Sequence, residues 1–556
     1  MAFNAAFGVM EKQSWTQAAC VTAGVVLLWY IVSCVVAWYH LRHIPGPFIA
    51  SFSNVWAAWA AYTGRVHLIM DAEQKKYGEV FRIGPDGVMI SDAESIYQIQ
   101  SARSPYTRGL WYKSMRIDYR GDSVVTELDN TTHGKRKAIL GTGFSGKNVT
   151  LLEAKVDKWI AALVGSIRDR VARGDTTIDI GRLISYFQVD LITNLQIGEE
   201  WGDLADHTDK FDFMKGGEEL YPALAAFSIF PAARAIITSS WLMKLLGPKT
   251  TDTHGIGAFM GIIEKEAEKR YNSTTDKPYE SRDLLDEWIK HGLSADNCQF
   301  DLSLLLPAGA ETTKSVVQGT LLLLMSAPAV YQTLKQEIKN GISAGCISNP
   351  VTNEEAKNLK YVQAVIREGM RLNTPVNFAF PKRVPAPGDT ICGRFLPEGT
   401  NVFVNYHSIL HNKEVFGKDA DIFRPERFLG DAESARRMTK TVDMMFGGGR
   451  YMCLGKPLAL IELNKVFVEL FRVFDFQVAT PEKPWKREKF GTIWVLHEMG
   501  CSRLMRSFNR KVISALSPQA LKFVTESVSS GAHRPLAYRL LIVLRVDNEN
   551  GRKQRT

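Results

Sequence analysis

The sequence predicts a mainly α protein with small β-sheets, a single catalytic domain behind an N-terminal transmembrane helix. Three observations predict it. Residues 151–326 are dominated by apolar positions at helical period, clearest over 156–171, 180–197 and 257–270. Strand signals are few and short. Residues 18–39 form a run without a single charge.

Composition sets the outer limits. The chain has 556 residues, 45% apolar and 23% charged, which is ordinary for a folded protein. Its net charge of +9 comes from scattered basic residues, which favours acidic partners or anionic membrane and carries no nucleic-acid signature. Seven cysteines are widely spaced, odd in number and without a CxxC pair. That argues against a disulfide framework or zinc knuckle and for a reducing compartment.

The uncharged run spans about 33 Å as a helix, enough for a bilayer core. Trp15, Trp38 and Tyr39 sit where interface aromatics belong, and His40, Arg42 and His43 follow the run. Glu11 and Lys12 cancel before it. This charge bias places residues 1–17 in the lumen and the bulk in the cytosol. A cleaved signal peptide is the rival, but the run is too long and lacks a basic n-region and a small-residue cleavage site. Residues 40–50 hold Pro45-Gly46-Pro47, a stiff hinge that cannot continue the helix.

Residues 67–77 read as a short helix. Residues 79–84 and 88–91 read as a hairpin around Gly84-Pro85-Asp86-Gly87. Residues 92–101 read as a capped helix, and 106–120 as irregular and aromatic. Residues 300–325 should form a long helix through the core, apolar on most sides. Pro307 removes one helical N–H there and predicts a break near Ser303. Ala308-Gly309 would leave room for a ligand against the backbone. Glu311, Thr312 and Thr313 are costly in such a helix unless they have partners or a role. The bland alternative has the threonines satisfied by carbonyls one turn back.

Residues 361–372 read as a helix in which Glu368 and Arg371 share a face. An extended segment follows over 373–383, then strands around a turn over 391–405. Pro425-Glu426-Arg427-Phe428 has little intrinsic structure, so Arg427 is free to join the Glu368–Arg371 pair.

Four of the ten residues over 446–455 are glycine, and Cys453 precedes an apolar helix opened by Pro457. Free N–H groups and the dipole at a helix start favour thiolate. A thiolate in a glycine-rich loop suits a single axial cysteine on haem iron. A lone buried cysteine beside a turn is the plain alternative. Neither phosphate-loop pattern fits, since Gly455-Lys456 is followed by Pro457.

Taken in order, these stretches resemble the cytochrome P450 superfamily over the anchor, the hinge and a catalytic domain of 51–506, with the texture of fungal microsomal members. The central-helix motif of the family resembles 308–313, its Glu-x-x-Arg resembles Glu368 and Arg371, and its Pro-Glu-Arg-Phe resembles 425–428. Its haem loop matches at Phe446, Gly449, Cys453 and Gly455. Three positions depart. Tyr451 stands where the loop arginine would be, with Arg450 one place earlier. Lys137, in His133-Gly134-Lys135-Arg136-Lys137, stands for a common Arg, and Glu311 replaces the commoner Asp.

The resemblance implies a cytochrome P450 fold and one haem b whose iron is ligated by Cys453. Phe446, Gly449, Arg450, His133, Lys137 and Arg383 would contact the cofactor. Glu311 and Thr312 would relay protons, and Glu368, Arg371 and Arg427 would be structural. It also implies monooxygenation of a lipophilic small molecule, a fungal secondary metabolite by analogy. Electrons would come from NADPH through NADPH–cytochrome P450 reductase, with cytochrome b5 a second electron partner. Lys135, Arg136, Lys440, Arg450 and Lys456 would dock the reductase. The setting would be the endoplasmic reticulum membrane, single-pass, with the domain cytosolic. Two other readings stand beside it: an oxygen-independent haem-thiolate isomerase or dehydratase, and a non-catalytic membrane protein with a degenerated loop. Residues 507–556 extend beyond the family's usual end and have no assigned role.

Overall fold

The computed structural model describes residues 2–145, 148–175, 177–272, 282–478, 486–490, 493–497 and 545–546. Its axis is the helix Ala295–Ser326, started by the Ser294 side chain accepting from Asn297 N–H. The helix Ile180–Ile197 packs along it, with every residue but Arg182 buried. Gly309 sets their spacing: a Cβ there would lie 2.8 Å from Ile192 Cδ1. This glycine therefore serves helix-on-helix contact rather than ligand room.

The break expected near Ser303 does not occur, and the helix runs unbroken through Pro307. The carbonyl that Pro307 frees is that of Ser303, and side-chain bonds flank it. Gln196 Nε2 donates to the Leu302 carbonyl at 3.1 Å, and Ser303 Oγ donates to the Gln299 carbonyl at 2.7 Å. Packing along the helix then holds a turn that proline alone would open. The helices Asn148–Ala172 and Lys456–Val473 complete the large core.

A five-stranded sheet lies beside this helical core, in the order Val80–Gly84, Gly87–Ile90, Asn401–Val404, Lys382–Arg383, Thr107–Arg108. Its first two strands are the predicted hairpin. Two small hairpins accompany it, Gly388–Ile391 with Arg394–Pro397 and Lys486–Phe490 with Ile493–His497. Of the extension over 507–556, only Arg545–Val546 is described, paired antiparallel with Phe474–Asp475. The rest lies outside the described residues.

The N-terminal helix Ala2–His40 contains one stretch, Cys20–His40, long and apolar enough to cross a membrane. Residues 2–17, expected as a separate lumenal segment, belong to this same helix. The Arg82 side chain ties the helix end to the sheet. It donates to the Ala37 carbonyl at 2.9 Å and the Trp38 carbonyl at 3.3 Å, two of the last-turn acceptors a helix leaves open. Its Nε donates to the Gly84 carbonyl at 3.0 Å, and its backbone N–H donates to Pro45 at 2.7 Å.

Under the helix Lys360–Leu372 lies a closed charge triad. Arg371 makes a bidentate pair with Glu368, Nε to Oε2 at 2.7 Å and Nη2 to Oε1 at 2.8 Å. Arg427 Nε adds a third bond to Oε1 at 3.0 Å. All three side chains are at most 1% exposed. The remaining donors reach main-chain carbonyls, including Leu410 from Arg371 at 2.6 Å and Asp419 from Arg427 at 3.0 Å, and Arg427 Nη1 also meets Asp419 Oδ1 at 3.2 Å. One carboxylate thus holds two guanidiniums and pins the 425–428 segment. Glu368→Gln leaves Arg371 buried without a counter-ion and Arg427 with Asp419 alone, at 3.2 Å. It should cost about 3–5 kcal/mol, read as a fall in the urea midpoint, and an unchanged midpoint would remove the triad from the stability of the fold.

Candidate active site

The glycine-rich loop folds back on itself, with Cys453 N–H donating to the Phe446 carbonyl at 2.8 Å. Gly449 has φ +53°, and a Cβ there would lie 2.7 Å from Ser101 O. Gly449 therefore lets the loop lie against the end of the helix Ala93–Gln100. Cys453 keeps accessible surface. Burial in the dense loop pushes its thiol above the ordinary value, opposed by the N–H groups of Gly455 and Lys456 and by the charges of Lys137 and Lys456. The helix start alone therefore does not produce the thiolate expected from sequence. A bound metal ion would, by displacing the proton.

On the central helix, Ala308 and Thr312 share a face and remain accessible, while Ala310, Glu311 and Thr313 are buried. Thr312 Oγ1 donates to the Ala308 carbonyl at 2.9 Å, the back-bond of the bland alternative. Its hydroxyl oxygen can still accept a bond.

The most charged part of the site surrounds the Tyr451 ring. Lys382 Nζ lies 3.6 Å from the ring centroid and the Arg108 guanidinium 4.6 Å from it. His133 lies at 5.3 Å and the Arg450 guanidinium at 6.0 Å. Lys137 Nζ donates to the Arg450 and Met452 carbonyls at 2.8 and 2.7 Å. Tyr451 itself donates to Asn130 Oδ1 at 2.5 Å. Arg108 and Lys382 are direct cross-strand partners, an arrangement that repels. Among the described residues, none of these four cations meets a carboxylate within ion-pair distance. Arg108 donates to the Val124 carbonyl, Lys382 to Tyr112 Oη, and Arg450 to the Ser104 carbonyl.

Electrostatics records the strain. Burial, then Arg108, Lys137 and Arg450, hold the Lys382 ammonium well below its usual range. Burial and Arg108 lower Lys137 to about 8. His133 is pushed down to about 3 by burial and then by all four cations, so it is neutral, and its Nδ1 is buried without a partner. A set of cations this close lacks only an anion.

Several expected residues fall elsewhere. Arg383 was expected at a propionate, but it is exposed and its guanidinium packs against Gly399, while Lys382 turns inward. The two adjacent strand residues face opposite ways, so only one can reach the cluster. Arg136 cannot dock a reductase: it is 8% exposed and paired with Asp301 at 2.5 Å. Lys456 pairs with Asp443 at 2.9 Å, whereas Lys135 is exposed as expected. Phe446 is partly buried below Lys456, whose Nζ lies 5.3 Å from the ring. Sequence reasoning missed Arg108, Tyr112, Lys382 and the partner of Glu311, which is Lys314 at 2.7 Å.

A sequence model of the family described as Cytochrome P450 matches residues 45–500. The chain belongs to the cytochrome P450 family. Among similar proteins is the cytochrome P450 monooxygenase aba1 of Botryotinia fuckeliana, 39% identical over 80% of this chain and 88% of the relative. Another is abl1 of Leptosphaeria maculans, 34% identical over 86% of each. A third is ABA1 of Pyricularia oryzae, 35% identical over 84% of this chain and 94% of the relative. This P450 is thus a monooxygenase of fungal type, and its family carries haem.

The donor set fits that group. An accessible cysteine stands at a helix start, a small residue and a hydroxyl open one face of the central helix, and four unpaired cations match a macrocycle bearing two carboxylates. If that match holds, Lys382→Met should release haem to apomyoglobin about tenfold faster than wild type, while Arg383→Met should not. The haem-transfer rate checks it, and equal rates for both variants would return the role to the sequence expectation.

Proposed function

We propose that this P450 inserts one atom of O2 into a lipophilic small molecule, a fungal secondary metabolite. The observation that carries the reading is the accessible Ala308–Thr312 step beside buried Glu311, in a family whose cofactor activates oxygen. Electrons would come from NADPH through NADPH–cytochrome P450 reductase, with cytochrome b5 a second donor.

Cys453 would hold the iron. Lys137, Arg108, Lys382 and Arg450 would hold the carboxylates, with Tyr112 and neutral His133 beside them, and Phe446 and Gly449 would shape the loop. A thiolate-ligated haem supplies the cleavage of O2. The chain supplies geometry and protons. Thr312 presents a hydroxyl oxygen to the open face of the helix, and Glu311, one residue before, is the nearest carboxylate in sequence that can exchange a proton with it. The relatives' printed names are those of monooxygenases, which favours this reading over an isomerase or a degenerated loop.

A small apolar cleft of about 30 Å³ lies between the sheet and the helix Phe213–Ile229. Ile83, Trp111, Ile229, Phe378 and Phe403 line it, with Arg234 and Asp86 at polar points. Large apolar side chains stand exposed nearby in sequence, including Phe48, Trp59, Ile236 and Trp241. Together with the anchor they support an endoplasmic reticulum membrane setting, with the domain on the cytosolic side.

The reduced, CO-bound full-length protein should show the red-shifted Soret band of a thiolate-ligated haem, and Cys453→Ala should lose it. A normal band in that variant sinks the ligand assignment. With candidate terpenoids supplied, Thr312→Ala should raise peroxide per NADPH by about tenfold or more. Unchanged coupling would remove Thr312 from the relay.

A further inference from the structure

Downstream of Thr312 the central helix buries a second polar feature. Lys314 Nζ donates to Glu311 Oε1 at 2.7 Å, and the two side chains are 9% and 4% exposed. A buried ion pair is weak support for stability, because desolvation offsets most of the attraction. Its presence in the middle of a core helix therefore points to use rather than packing. Glu311 takes one of the ammonium's three N–H groups.

One turn further lies Gln318, four residues after Lys314 and on the same side of the helix. Its Nε2 donates to the Gly181 carbonyl at 2.7 Å and to Ser185 Oγ at 3.2 Å. Its Oε1 is buried with no partner. Ser315 Oγ donates to the Glu311 carbonyl at 2.7 Å. A stripe of polar groups thus descends the helix through Glu311, Lys314, Ser315 and Gln318, towards the start of the helix Ile180–Ile197. A donor-rich ammonium and an orphan acceptor one turn apart make a site for internal water, since buried polar groups without protein partners bind it. The far end of the stripe lies beside Arg182, the one residue of that helix that is not buried. Arg182 reaches Glu218 at 3.8 Å. Tyr221 lies near the same carboxylate, its hydroxyl pushed up by burial and then by the Glu311 charge.

We infer that Lys314 is a positioning residue for proton delivery: it orients the Glu311 carboxylate on the turn that carries Thr312, and the polar stripe to Gln318 and Ser185 is the proton inlet. Lys314 occupies Oε1 and leaves Oε2 to carry the proton. Each proton enters from bulk solvent, binds Oε2 and leaves toward Thr312, and Lys314 begins and ends as ammonium. This inference rests on the monooxygenase reading.

The test uses full-length holoenzyme with reductase, NADPH and O2 and no substrate, so that no unidentified ligand is needed. Four proteins are compared: wild type, Lys314→Met, Lys314→Arg and the double variant Glu311→Gln with Lys314→Met. Resting holoenzyme is first examined by infrared spectroscopy. Lys314→Met should gain a protonated-carboxyl band, because a buried carboxylate without its counter-ion takes a proton. Wild type, Lys314→Arg and the double variant should lack that band. The peroxide yield per NADPH and the solvent isotope effect should both change in Lys314→Met, the first by about tenfold, the lower end for proton-transfer groups. Lys314→Arg should restore both. A folding defect would show as a lost Soret band in Lys314→Met that returns in the double variant, where no charge is orphaned, and the double variant must then share the altered peroxide yield. An intact Soret band with no new carboxyl band, or a new band with unchanged yield and isotope effect, overturns the inference. A wild type without the thiolate Soret band instead overturns the reading beneath it.

Discussion

Four cations surround the Tyr451 ring, and the described protein supplies no carboxylate to neutralise them. Arg108 and Lys382 even face each other across adjacent strands. In a half-buried setting, unit charges a few ångströms apart repel by several kcal/mol. The sheet edge, the helix Asn130–Thr142 and the glycine-rich loop each contribute to this cost. The last strand brings Arg108, its neighbour brings Lys382, the helix brings Lys137 and His133, and the loop brings Arg450. Aromatic faces and main-chain carbonyls lower the cost without removing it. A dianionic cofactor would offset half of that positive charge, so binding and folding are linked. The apoprotein should accordingly be the weaker state, and the cluster's geometry should tighten only when the group is present.

The central helix answers a related problem with local means. It carries a proline and a glycine, which weaken a helix, and a carboxylate and an ammonium, which are costly to bury. Each has a specific compensation. The Gln196 amide bonds the Leu302 carbonyl beside the turn that Pro307 opens, Gly309 packs on Ile192, and Glu311 pairs with Lys314. The polar side therefore faces the neighbouring helix while Ala308 and Thr312 keep the open side clear. Catalytic access and core packing share one helix because they use different faces of it.

Much of the fold was legible because its signals are long. The period over 180–197 matched the helix Ile180–Ile197 to the residue, and the 84–87 turn marked the hairpin. Glu368, Arg371 and Arg427 could be brought together on paper because a helix fixes i,i+3 neighbours. The site was less legible where only two adjacent residues competed for one inward direction. At 382–383 the strand is too short for alternation to fix its phase, and the inward residue is Lys382. At 450–451 a 3₁₀ turn decides, and the ring takes the centre while Arg450 reaches past it to Ser104. Pro307 misled for a different reason. Intrinsic propensity predicts a break, but packing against the helix Ile180–Ile197 keeps this one continuous. The Glu311–Lys314 pair was missed because i,i+3 spacing alone does not distinguish a surface pair from a buried one, and burial is not written in a single sequence.

The anchor extends the same logic to the membrane. A transmembrane helix tethered only by Pro45-Gly46-Pro47 would let the domain swing. Here the Arg82 guanidinium bonds the helix end and the hairpin turn at once, reaching Ala37, Trp38, Gly84 and Pro85. Gly46 is required by that closeness, since a Cβ there would lie 2.4 Å from Arg82 O. The hairpin turn so fixed supplies Gly84, Asp86 and Gly87 to the wall of the cleft. One side chain therefore couples the direction of the N-terminal helix to the edge of the sheet and to the hairpin turn beside the cleft.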